Sequence, residues 1–163
     1  MQLSIMAAMG QNRVIGNQGR LPWPPMPADW THLHKVCQGK KMIMGRKSYD
    51  TPDRISSATG NVVISRQPNY PLEKGFIQAN SLPQALAMLH DEVEVFVMGG
   101  EEIYRQALPY VEVIHLTIVQ GVFEGDAFFP EFEDLFTLVS EAHFPADSDN
   151  PFAYSFLVYM RAT

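Results

Sequence analysis

Short runs of hydrophobic residues, broken by Gly, Pro or Asn, recur along the whole chain. Residues 2–8 "QLSIMAA", 41–44 "KMIM", 61–65 "NVVIS" and 75–78 "GFIQ" are rich in β-branched, aromatic or other apolar side chains. So are 93–98 "VEVFVM", 112–119 "EVIHLTIV", 135–141 "LFTLVSE" and 153–160 "AYSFLVYM". Each is predicted to be a strand. Between them the period lengthens. Residues 28–37 place Asp29, Leu33 and Val36 near Trp30 and Cys37 on one face and turn Thr31 and Lys35 away, which predicts a helix. Ser81 followed by Gln84 reads as a capping box opening a second helix through Leu89, with Pro83 tolerated in its first turn. A third helix is predicted from Glu101 to Ala107, stopped by Pro109.

Strands alternate with helices over the first two-thirds of the chain, which predicts a largely parallel sheet. No helix separates the last two strands, so they are predicted to pair as a hairpin, antiparallel to the rest. The expected fold is α/β: a mostly parallel, twisted sheet of eight strands with an antiparallel C-terminal strand and helices on both faces. Residues 16–28 form a long Gly- and Pro-rich connection without periodicity, and such loops are usually functional or disordered.

The 163 residues suit one domain, 1–163, and 46% apolar against 18% charged is a globular composition. The net charge of −6, with no basic cluster, argues against nucleic acid or an anionic membrane as a partner. It leaves room for a local phosphate pocket. Cys37 is the single cysteine, so an intrachain disulfide is excluded and a Cys-built metal site is not expected. The opening "MQLSIMAAMGQNR" lacks a basic region before its apolar run, and that run is too short for a signal peptide or a span. A cytoplasmic protein is expected.

Asp29 poses the sharpest chemical question, because "RLPWPPMPADW" surrounds one acid with Pro, Trp, Met and Ala. At the start of a helix an acid can simply complement the dipole or cap. Its spacing to Leu33 and Val36 instead turns it towards an apolar face, where desolvation raises a carboxyl pKa. Such an acid persists if a ligand arrives to hydrogen-bond with it, and an aminopyrimidine edge with adjacent N–H donors fits. In "VMGGEEIY" a strand ends in Gly99-Gly100 before a helix, which is either a phosphate turn or a plain tight one. "IMGRKS" runs a strand into Gly45, Arg46, Lys47 and Ser48, and the next strand ends in Ser65-Arg66. Together these ends read as one sheet edge carrying a nucleotide phosphate; the alternative is solvated charge. His32 and His34 lack a third ligand at a metal spacing and are expected to face solvent. Cys37 is expected to be packed, the methionines to fill core, and Asp126 in "FEGDAFFP" to order a loop. Ser48, Ser65 and Ser140 have no nucleophile context.

From end to end the chain resembles dihydrofolate reductase. "SIMAAMGQNRVIGNQGRLPW" is similar to that family's first strand and mobile loop, "PADW" to its acid motif, and "MIMGRKS" to its cofactor turn. "VFVMGGEEIY" matches its glycine pair and "LTIVQGVFEGDAFFP" its late strand and Gly-Asp loop. The resemblance implies NADPH-dependent reduction of 7,8-dihydrofolate to tetrahydrofolate by a monomer that antifolates bind. It implies that Asp29 holds the 2-amino and N3 edge of the pterin and favours N5 protonation through water. Trp23, Thr117 and Tyr104 are implied beside it in the catalytic group. Met6, Ala8, Trp30, Leu33, Arg54 and Met98 would complete the substrate site. Ala8, Ile15, Gly16, Leu21, Gly45, Arg46, Lys47, Ser48, Ser65 and Arg66 would bind the cofactor, with Gly99, Gly100, Ile103 and Tyr104. The basic residues suit the 2′-phosphate of NADPH. Pro22 and Leu21 lie in the loop that would close over the nicotinamide.

Some positions depart from the pattern. The family's arginine for the folate glutamate carboxylate falls at Thr59, "DRISSATG" lacks the usual "PLPGR", and Arg54 is the nearest basic residue. Losing such a contact would cost on the order of 1.5–3 kcal/mol. "WPPMPAD" is a residue longer than the common loop, and Trp30 is bulkier than the usual aliphatic residue. A same-fold reductase of a smaller pterin or a riboflavin-pathway pyrimidine is therefore the alternative, with Thr59 its best support. A non-catalytic nucleotide-binding protein is the third reading, and the presence of Asp29 speaks against it.

Overall fold

In the computed structural model, which describes residues 1–163, the elements follow in order as β1 (Gln2–Gly10), β2 (Val14–Gly16), α1 (Pro27–Val36), β3 (Lys41–Gly45), α2 (Arg46–Tyr49), β4 (Asn61–Ile64) and β5 (Phe76–Ala79). Then come α3 (Leu82–Met88), β6 (Glu94–Val97), α4 (Glu101–Ala107), a 3₁₀ turn, β7 (Val113–Val119), β8 (Ala127–Phe128), β9 (Phe136–Phe144) and β10 (Tyr154–Arg161). All eight strands and all three helices expected from the pattern are present, the largest shift of an end being in β9. Three small elements carried no periodic signal. α2 is a single turn, and β2 and β8 are short strands that pair with each other across two loops.

The large sheet has the order β5-β4-β3-β6-β1-β7-β10-β9. β4, β3, β6, β1 and β7 pair in parallel, and β10 alone runs against them, with β9 completing the C-terminal hairpin. The core divides by strand alternation. Leu3, Ile5, Ala7 and Met9 of β1 point to a cluster with Leu82, Ala85, Ile103 and Ala107 of α3 and α4. Met6 points to the opposite cluster, with Leu33 of α1 and Tyr49 of α2. Helices thus cover both faces, which is why the central strands read as nearly continuous apolar runs. No helix is long and apolar enough to cross a membrane.

α1 buries the face expected of it, with Leu33 and Cys37 inside and Thr31 and Lys35 exposed. Burial pushes the Cys37 thiol up to about 12, so the packed reading of this cysteine holds. His32 departs from expectation: its ring stacks on Phe156 at 3.8 Å and 7°, and burial lowers its pKa. The β10 strand beneath α1 supplies an aromatic face that local sequence could not place there. The capping of α3 also differs in detail. Ser81 Oγ accepts from the Gln84 N–H at 3.2 Å, but the Gln84 carboxamide reaches one residue further back, to the Asn80 N–H at 2.5 Å.

The start of α1 has no side-chain cap of its own. Its Ala28 N–H donates instead to the Asn150 side chain, at 3.0 Å, from the connection between β9 and β10. Asn150 is itself buried and held by Asp147, whose Oδ1 accepts from the Asn150 N–H at 2.8 Å. The Asn150 side-chain amide and the N–H groups of Asn150 and Asp149 together hold the Asp147 carboxyl below its ordinary pKa. Asn150→Ala is expected to destabilise the protein by about 1–2 kcal/mol, the range for losing a helix cap. Denaturant unfolding with an unchanged m-value checks it; no loss of stability would mean that α1 is not pinned from this loop.

Candidate active site

A cleft of about 1090 Å³ crosses the carboxyl ends of β1, β3, β4 and β6. Parallel sheets place ligands here because the strand ends leave a crevice and the following turns present backbone N–H groups. At one end α1 carries Asp29, Trp30 and Leu33 into the wall, opposite Met6 and Ala8 of β1 and Met98 after β6.

Asp29 is the chemical centre of that end. The Thr117 hydroxyl on β7 donates to Asp29 Oδ1 at 2.6 Å. Thr117 is opposite Ala8 in the β1–β7 register, so the sheet pairing itself sets this contact. Burial pushes the Asp29 pKa up, and only the Thr117 hydrogen bond opposes the shift. The first-turn position in α1 coexists with burial, so both readings of this acid describe part of it. The arrangement can hold a proton on the carboxyl at a pH where a surface aspartate has lost it, and it can accept from paired N–H donors.

The other end is built from glycines and bases. The Gly45 N–H donates to the Gly99 carbonyl at 2.8 Å, which brings the ends of β3 and β6 side by side. A Cβ on Gly45 would come within 2.9 Å of Ile103 Cγ1, so only glycine fits this approach. Arg46, Lys47 and Ser48 of α2 line the cleft with Ser65 and Arg66 after β4, and Gly99, Gly100, Ile103 and Tyr104 close its floor. The expected meeting of three strand ends is thus observed, since β4, β3 and β6 are neighbours. Arg46 also pairs with Asp50 at 3.3 Å. Glu101 and Glu102 open α4, but both pair with Arg105, and Glu101 accepts from the Phe128 N–H at 2.7 Å. That N–H keeps the Glu101 carboxyl below its ordinary pKa. Glycine approaches and basic side chains suit a phosphorylated dinucleotide.

The loop of residues 16–28 is fastened above this floor. Ile15, Gly16 and Leu21 line the cleft. The Gln18 N–H donates to the Asp126 carboxylate at 3.2 Å, and the Asp126 N–H donates to the Gly16 carbonyl at 3.0 Å. A Cβ on Gly125 would meet the Gly16 carbonyl oxygen at 2.4 Å, which explains the glycine before this acid. Asp126 is a loop-ordering residue, as its Gly-Asp context implied.

Two of the expected site residues stand behind the wall. Thr117 reaches the cleft only through Asp29. Trp23 is buried with Met26, Val119 and Tyr154 and meets Phe123 edge-to-face at 5.5 Å, so its indole packs the base of the loop. Tyr104 lines the cleft, and its hydroxyl is occupied, donating to the Met6 carbonyl at 2.8 Å; burial raises its pKa. Thr59 faces away, exposed and paired with Ser57 Oγ at 2.8 Å, whereas Arg54 lines the cleft. Ile55, Gln67, Asn80 and Ser81 also line it and were not anticipated. Ser81 signalled only a helix cap, and the others sit in turns whose path no local pattern fixes.

The pKa of Asp29 gives a stability test. A raised folded pKa means that the folded state binds more protons than the unfolded chain above pH 3.8, so this acid's contribution falls as pH rises through its folded pKa. Asp29→Asn removes the buried charge while keeping an oxygen for Thr117. Its melting temperature is expected to exceed that of the unmodified protein at neutral pH, with the gain shrinking as pH falls. Thermal melts across a pH series check this; a lower melting temperature at neutral pH would mean that the carboxylate is stabilised, not strained, by its surroundings.

A family model described as dihydrofolate reductase matches residues 2–161. The chain is 35% identical to dihydrofolate reductase type 3 of Salmonella typhimurium, with 99% of each chain covered. It is 34% identical to the Bacillus subtilis dihydrofolate reductase, covering 96% of this chain and 93% of the other. Among solved structures, the Enterococcus faecalis dihydrofolate reductase complexed with NADP(H) and RAB-propyl superposes with a TM-score of 0.91 at 25% identity, covering 99% of this chain and 97% of that one. With its acid on α1, its glycine turns and its basic strand ends in one cleft, this chain belongs to the dihydrofolate reductase family.

Proposed function

We infer that the protein reduces 7,8-dihydrofolate to 5,6,7,8-tetrahydrofolate with NADPH, and that the cleft divides the work between its two ends. The observation that carries the division of roles is Asp29, a single carboxyl buried in the wall with only the Thr117 hydroxyl to satisfy it. A pterin supplies the paired N–H donors this carboxylate lacks, so the acid orients the ring. Its raised pKa keeps a proton close to N5, which passes to the ring through water. The N5=C6 double bond becomes single, N5 gaining the proton and C6 the hydride. NADPH, when bound, supplies that hydride and leaves as NADP⁺.

The remaining residues bind and orient. Met6, Ala8, Trp30, Leu33 and Met98 pack the faces of the pterin. Arg46, Lys47, Ser48, Ser65 and Arg66 hold the cofactor phosphates, and their charge favours the 2′-phosphate of NADPH. Gly45, Gly99, Gly100 and Ile103 let its backbone approach closely. Tyr104, fixed through the Met6 carbonyl, supports the nicotinamide beside Ala8. Ile15, Gly16 and Leu21 cover it and exclude water. Trp23 is a positioning residue that anchors the loop from behind. Arg54 takes the glutamyl carboxylate that Thr59, outside the cleft, does not reach; this placement favours folate over a tail-less heterocycle. The diaminopyrimidine of an antifolate would use the same Asp29 edge. The cleft as read is complete within one chain and needs no second copy.

NADPH oxidation followed by absorbance, with dihydrofolate as substrate, tests the reading. Asp29→Asn is expected to slow turnover by about a hundredfold or more near neutral pH while NADPH affinity changes little. In the unmodified enzyme the rate is expected to decline as pH rises through the elevated pKa of Asp29, because the protonated fraction is then lost. Unimpaired turnover in the variant would remove Asp29 from the mechanism.

A further inference from the structure

Arg54 does not wait for substrate unpaired. Its Nη2 lies 2.6 Å from Glu73 Oε2, the carboxylate of a residue in the turn before β5. Its other contacts fix the guanidinium independently of that acid. Nη1 donates to the Tyr49 carbonyl at 3.2 Å. The guanidinium carbon stands 4.2 Å from the Tyr49 ring centroid and 5.1 Å from that of Phe76. The turn bearing Glu73 is anchored as well, because the Glu73 N–H donates to the Tyr49 hydroxyl at 2.9 Å. The acid is therefore delivered to the arginine by a built contact. Its side chain is nonetheless 69% exposed, so its carboxylate can swing into water at little cost. Asp50, the other nearby acid, is taken by Arg46 and by the Tyr70 hydroxyl.

We propose that Glu73 is a specificity-determining residue: it occupies Arg54 in the free enzyme and competes with the glutamyl carboxylate of a folate for that guanidinium. The proposal rests on the reading that Arg54 receives the tail. A carboxylate arriving at a bare arginine gains a full charge-assisted pair. Arriving at Arg54, it gains only the difference between one carboxylate and another, and two carboxylates held together repel. Glu73 therefore narrows the preference for tail-bearing over tail-less pterins. Tyr49 and Phe76 keep Arg54 in place during the exchange, so the cation is presented in the same orientation to either acid.

The test compares steady-state kcat and KM for dihydrofolate and for a 7,8-dihydropterin lacking the glutamate, in the unmodified enzyme and in Glu73→Gln, Asp53→Asn, Arg54→Leu and Arg54→Leu/Glu73→Gln. Asp53→Asn is the charge control, since Asp53 lines the same cleft without pairing to Arg54. Glu73→Gln is expected to lower the KM for dihydrofolate on the order of fivefold, the upper range for an exposed ion pair. Neither kcat nor the KM for the short pterin is expected to move. In the Arg54→Leu background the same change is expected to do nothing. An unchanged or raised KM for dihydrofolate in Glu73→Gln overturns the proposal, as does an equal gain in Asp53→Asn or a gain that survives without Arg54. An unmodified enzyme that reduces neither substrate removes the assigned reaction and this inference with it. One that reduces dihydrofolate while Glu73→Gln behaves identically removes this inference alone.

Discussion

The Thr117–Asp29 hydrogen bond is the contact on which the site depends. It joins a helix to a strand that is remote in sequence, and it exists because β7 pairs with β1 in a register that sets Thr117 opposite Ala8. Without that register α1 would still bury Leu33, but its carboxyl would enter an apolar wall with no donor and would be strongly driven to stay neutral. A single hydroxyl is a partial remedy. It orients the acid and stabilises its anion somewhat, yet leaves the pKa raised. A cation in its place would have satisfied the carboxylate and brought its pKa down.

The supports of α1 extend this logic outwards. Asn150 fixes the beginning of the helix and the Trp23 cluster fixes the loop leading into it, so Asp29 is positioned from the hairpin side of the sheet. The cofactor end is held differently. Gly45 and Gly99 touch through their backbones, and Asp126 ties down the loop by accepting from the Gln18 N–H and donating its own N–H to the Gly16 carbonyl. One end is thus set by packing and buried polarity, and the other by backbone approach and exposed charge. The first suits a planar ring with N–H donors, the second a phosphate chain.

Much of this architecture is legible along the chain because each large element carries its own period. The central strands are buried on both faces, the C-terminal pair is marked by β-branched and aromatic residues, and α1 repeats its apolar positions at helical spacing. Asp29, Gly45, Arg46, Gly99 and Gly100 could be singled out because each breaks the local pattern that surrounds it. The elements that escaped notice lack any period to read. β2 and β8 exist only because two loops meet, and α2 is one turn in which Tyr49 is buried by residues far along the chain. The same limit explains the side chains. His32 is covered by Phe156 of β10, and Trp23, conspicuous in sequence, turns away from the cleft to fill the third cluster. Long-range packing decides such cases, and the local sequence contains no trace of it.

The two ends of the substrate site treat carboxylates in opposite ways. Asp29 is half-buried in the cleft wall, unpaired with any cation, and raised in pKa, so its environment leaves a demand that a ligand with paired donors can meet. Arg54 is partly buried, already paired with the exposed Glu73 carboxylate, and held by two aromatic rings, so its charge is partly met before any ligand arrives. The unmet polar demand of the cleft therefore lies at the Asp29 end. At Arg54 an arriving carboxylate would exchange for the one already paired there. Thr59, exposed and bonded to Ser57 outside the cleft, has no part in how the Asp29 end is built.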